Sequence, residues 1–68
     1  MKLTLTLEAD RGGIRANLIE EWDEAGGTVQ MAPMIRVFDD DQAAMAWGRR
    51  MARRRGLKQL FLNDRRAR

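Results

Sequence analysis

Cysteine, histidine, serine and tyrosine are absent from this chain of 68 residues, and proline occurs once, at Pro33. Each absence removes a class of chemistry. Without cysteine there is no disulfide and no thiolate metal ligand, and without histidine the common zinc sites are lost as well. Serine, cysteine and histidine supply the usual nucleophiles and general bases, so triad catalysis is excluded. Gly12-Gly13 and Gly26-Gly27 lack the spacing of a dinucleotide-binding loop, and no Gly-Lys-Ser/Thr phosphate loop occurs. No apolar run is long enough to span a membrane and no signal peptide follows Met1, so a cytoplasmic protein is expected.

The charges are abundant and unevenly placed. Residues 1–48 hold four bases against nine acids, a net of −5, whereas residues 49–68 hold nine bases against Asp64 alone, a net of +8. A basic C-terminal third suggests a polyanion partner, and it also suits attraction between copies of the chain. A chain this short buries a thin core, so self-association is an expected route to stability.

Residues 39–56, DDDQAAMAWGRRMARRRG, organise the rest. Asp39, Asp40 and Asp41 offer an N-cap and a negative first turn, five arginines fill the second half, and Gly56 suits a left-handed C′ position. At about 100° per residue, Ala44, Met45, Trp47, Gly48, Met51 and Ala52 fall on one side. Arg49, Arg50, Arg53 and Arg54 fall on the other, while Arg55 projects toward the apolar side, where it can reach solvent or cap carbonyls.

Before this helix, residues 2–9 alternate as a half-buried strand with Leu3, Leu5 and Leu7 on one face. Asp10 to Gly13 forms a turn. Residues 14–22 fit both a strand and a helix. A helix would place Arg15 at its positive end and Glu20, Glu21, Asp23 and Glu24 at its negative end, which argues for strand, with a twist or bulge where alternation fails at Glu20. After the turn at residues 23–27, residues 28–38 read as a third strand that Pro33 confines to an edge or breaks in two. Val29, Ile35 and Val37 would face the helix, and Met34, Arg36 and Phe38 would point away. Residues 58–63 form a last short strand with Leu60 and Leu62 inward. The expected fold is α+β, a two-layer β-β-β-α-β domain over residues 1–63, with a mostly antiparallel sheet, one amphipathic helix on one face, and a basic tail over residues 64–68.

Two surfaces follow. Arg49, Arg50, Arg53 and Arg54, with Lys58, Arg65 and Arg66, form a cationic stripe suited to nucleic-acid phosphates without sequence readout. The plain alternative is a solvated helix face. The second surface is the sheet face away from the helix, where Ile19, Met34, Phe38 and Phe61 would form a partner or dimer face, the alternative being scattered exposed hydrophobes. The acidic clusters at 39–41 and 20–24 read better as a helix cap and a solvated turn than as metal sites. The function expected is that of a non-enzymatic binding module, without cofactor or metal, contacting nucleic acid as a homodimer. The alternatives are a protein-interaction module whose acids at 20–24 imitate a nucleic acid, and a structural homodimer.

Overall fold

Leu3, Leu5, Leu7 and Leu18 are the largest fully buried side chains, and the architecture follows from covering them. Burying each is worth about 1.5–3 kcal/mol. The computed structural model describes residues 1–66. Strand β1 (Lys2–Asp10) pairs antiparallel with β2 (Gly13–Glu24) through a two-residue hairpin loop. Both loop residues, Arg11 (φ 47°) and Gly12 (φ 85°), lie at positive φ, the twist that tight hairpins prefer. Two further strands, β3 (Gly27–Gln30) and β4 (Met34–Phe38), both pair antiparallel with β2, end to end along its other edge. Helix α1 (Asp41–Arg54) then crosses the sheet, and β5 (Phe61–Asp64) pairs in parallel with β1. The order is β-β-β-β-α-β, a mostly antiparallel five-stranded sheet with one helix packed on one face.

Residues 14–22 are strand, and β2 runs without a bulge from Gly13 to Glu24. The irregularity lies opposite. Leu18 pairs with Met34 and Glu21 with Gln30, so two residues of β2, Ile19 and Glu20, face three, Met31, Ala32 and Pro33. One surplus residue shifts the alternation by one position, and a one-residue slip exchanges the two faces of a strand. Val29 therefore shares the helix side with Trp22, as its alternation implies. In β4 the expected faces are reversed. Met34 and Phe38 pack against the core under the helix, while Ile35 and Val37 stand exposed on the opposite face. Arg36 is also on the helix side, its guanidinium stacked over the rings of Phe38 and Trp47. Leu60 packs against the core as expected, but Leu62, in the edge strand β5, is exposed.

Helix α1 is held at both ends. Asp40 is the N-cap, its carboxylate accepting from the Ala43 amide at 2.8 Å. At the other end Leu57 N–H donates to the Ala52 carbonyl and Gly56 N–H to that of Arg53, with Gly56 at φ 69°, a Schellman closure. Midway, Gly48 allows close approach to the sheet: a Cβ there would meet Leu5 Cδ2 at 2.8 Å.

Candidate functional site

The stripe is built by the register of α1. Ala44, Trp47, Gly48 and Ala52 are buried on the sheet, so residues half a turn away are driven into solvent. Arg49, Arg50, Arg53 and Arg54 are all exposed there. None of the four makes a side-chain hydrogen bond or ion pair within the described residues. Each row of the stripe, Arg49 with Arg53 and Arg50 with Arg54, has i,i+4 spacing, so like charges repel along the helix.

The rows differ in what flanks them. Arg49 and Arg53 overhang a groove of about 390 Å³ between α1 and the segment that leads into β5. Lys58 closes its far side, and Met45, Ala52, Leu57 and Leu60 contribute apolar surface. Among the described residues no acidic side chain lines it. Gln42 adjoins this groove in a neighbouring hollow with Asp41, Met45 and Arg49. Arg50 and Arg54 follow Trp47 by one and two helical turns, on the flank where Arg36 stacks. Arg36 thus adds a further exposed cation beside the four arginines of the stripe and Lys58. Sequence reasoning placed it on the wrong face because the surplus residue at 31–33 was not visible.

The other arginines have internal partners. Arg55 lies half-buried at the helix end, where Nε is hydrogen-bonded and ion-paired to Glu20 and Nη1 donates to the Met51 carbonyl at 3.0 Å. Arg15 reaches Glu8 at 3.4 Å. Arg66 donates through Nε to Asp64 at 2.9 Å and through Nη1 to Asp41 at 3.3 Å. Those carboxylates, Asp64 first and then Asp41, hold its pKa above the ordinary arginine value. Arg66 is therefore tied to the protein's own acids. Arg65 is exposed, and its amide donates to the Leu7 carbonyl at 2.8 Å, prolonging the β1 edge. The tail residues 67 and 68 lie outside the described residues.

The acids do not converge. Glu20 serves Arg55, Glu21 accepts from Gln30, Asp23 from Thr28 and Glu24 from the Trp22 indole. Asp40 caps α1 and Asp41 pairs with Arg66. Among the described residues no group of three or more acids is placed to hold a metal ion. No helix among them is long and apolar enough to cross a membrane.

Of the four residues expected on the uncovered sheet face, Ile19 and Phe61 lie there, opposite Thr4 on either side. Met34 and Phe38 do not, since the shifted phase of β4 turns them into the core, with the Phe38 and Trp47 rings 5.6 Å apart. Ile35 and Val37 occupy the face instead. Comparison with protein families, curated proteins and solved structures finds no match to this chain.

Proposed function

We propose that this protein is a non-enzymatic nucleic-acid-binding module that engages the phosphate backbone through Arg49, Arg50, Arg53 and Arg54, with Lys58 across the groove. One observation carries the reading. Among the described residues, carboxylate partners are supplied to Arg15, Arg55 and Arg66 and none to the stripe. Four unpaired guanidiniums on one helix repel one another, and phosphate oxygens would relieve that repulsion while releasing counterions. Guanidinium forks match phosphate geometry, and Arg49, Arg53 and Lys58 ring a groove that a backbone phosphate can enter. Beside the arginines, Gln42 and Gln59 are the amide side chains near the stripe, a set that suits positioning on a backbone better than sequence readout, so contact is expected to depend little on sequence. Glu20 is taken up by Arg55, and Glu21, Asp23 and Glu24 accept from side chains of their own hairpin, which disfavours their acting together as an imitation of a nucleic acid.

The test is fluorescence anisotropy with a labelled duplex over a range of salt concentrations. Binding that weakens with salt, and is lost when all four arginines become alanine, supports the proposal. Absence of binding at low salt, or affinity unchanged in the quadruple variant, overturns it.

A further inference from the structure

The face of the sheet turned away from α1 is uncovered, and we infer that its occupant is a second copy of this chain. The inference rests on the sheet alone and is independent of the nucleic-acid reading. Cross-strand register defines the surface. One row runs Ile35, Asn17, Thr6, Asn63, and the next runs Ile19, Thr4, Phe61. Neither carries a charge. The row beyond the first holds Val37 with Arg15 and Glu8, which form an ion pair. The row beyond the second holds Glu21 opposite Lys2, whose ammonium lies 4.7 Å from the centre of the Phe61 ring. The paired strand residues of these four rows are electrically balanced, with exposed Arg65 following β5 at their edge. The face is an apolar and β-branched surface with neutral polar groups between, and Ile35 is 56%, Val37 60% and Phe61 45% exposed.

Charge chooses the occupant. A two-fold dimer presses one surface onto itself, so a surface with net charge opposes its own copy. The arginine stripe would repel a second stripe, whereas the balanced sheet face would not. Area points the same way. A compact protein of 7.8 kDa exposes roughly 4,400 Å². This chain exposes 4,953 Å², an excess of roughly 550 Å². The smallest specific interfaces bury about 600 Å² on each partner. The excess is matched by an elongated, one-sided shape of 42 × 22 × 19 Å, in which a single helix covers only one side of the sheet. Two sheets facing each other at about 10 Å would interdigitate Ile19, Ile35, Val37 and Phe61 as a sandwich core. Both stripes would then lie on the outer surfaces of the pair.

Sedimentation equilibrium of the full chain tests this. The expected mass at roughly 100 μM is twice 7.8 kDa, as an interface at the low end of the size range allows. Ile35→Asp and Val37→Asp alter side chains that are solvent-exposed in one copy, so each should keep its circular dichroism while its mass falls to that of a single chain. Arg50→Glu, on the opposite side, should leave the dimer intact. A wild-type chain that stays monomeric overturns the inference and leaves the face to solvent or to a different protein. A dimer that survives both aspartates, or that Arg50→Glu dissolves, overturns it in favour of another surface. Methyl resonances of the wild type followed on dilution give a reading that needs no variant. Shifts confined to Thr4, Thr6, Ile19, Ile35 and Val37 support the sheet face, and shifts centred on α1 or on Leu62, whose register partner Leu5 lies on the helix side, refute it.

Discussion

Arg55 and Glu20 are the most consequential pair of single residues outside the apolar core. They stand 35 positions apart and meet in a half-buried contact where the helix ends over β2. Glu20→Gln removes the charge while keeping the shape, and leaves a guanidinium with its strongest acceptor weakened. We expect a loss of about 1–3 kcal/mol in urea unfolding. Replacing both partners by apolar residues should recover much of that loss, because no charge then stays under-solvated. A second residue-scale prediction concerns Arg11, an L-residue held at φ 47° in the first hairpin. Asparagine tolerates that conformation better, so Arg11→Asn should stabilise by about 0.5 kcal/mol, read as a higher melting temperature. These two residues mark the limits of reading one residue from sequence. The position of Arg55 on the apolar side of the helix follows from helical periodicity. Its partner does not, because nothing local links residue 55 to residue 20.

At the scale of elements, α1 was the most legible part of the chain, since its caps, charge gradient and apolar stripe are all encoded within a few residues of one another. Strand β1 was legible for the same reason, with three leucines in strict alternation. Strand β4 was not. It is apolar on both faces, with Arg36 its one polar residue, so which face is inside depends on how many residues bridge from Gln30 to Met34 against β2, and that is a property of pairing. The same miscount hid Arg36 from the cationic surface and placed Met34 and Phe38 outside. Two measurements probe the helix. Gly48→Ala gains helix propensity of about 1 kcal/mol. It also drives a methyl into the fully buried Leu5, an overpacking cost of about 1–3 kcal/mol. We expect net destabilisation, with Gly48→Val worse, in thermal unfolding. Asp40→Ala removes the cap on Ala43 and should cost about 1 kcal/mol by the same assay.

For the molecule as a whole, the sign asymmetry seen in the sequence survives folding only in part. Some of the cations are consumed internally, Arg15 by Glu8, Arg55 by Glu20 and Arg66 by Asp64 and Asp41. What remains outward on the helix is a concentrated charge rather than a diffuse one. If the four arginines of the stripe each meet a phosphate, the logarithm of the duplex affinity should fall against the logarithm of salt with a slope of about −3.6. Each single arginine-to-alanine change should then flatten the slope by about 1, whatever the sequence of the duplex. Arg66→Ala should hardly alter it, since that guanidinium already answers two carboxylates of its own chain.

The three-residue bridge at Met31, Ala32 and Pro33 has a consequence for how this chain tolerates changes in length. Most loop tips absorb a lost codon quietly. Deleting one residue here would leave two residues facing two of β2, so Met34 would stay opposite Leu18 and the faces of β4 would be kept, with only the surplus removed. A deletion inside β4 has no such slack and would exchange the two faces of every residue on one side of the gap.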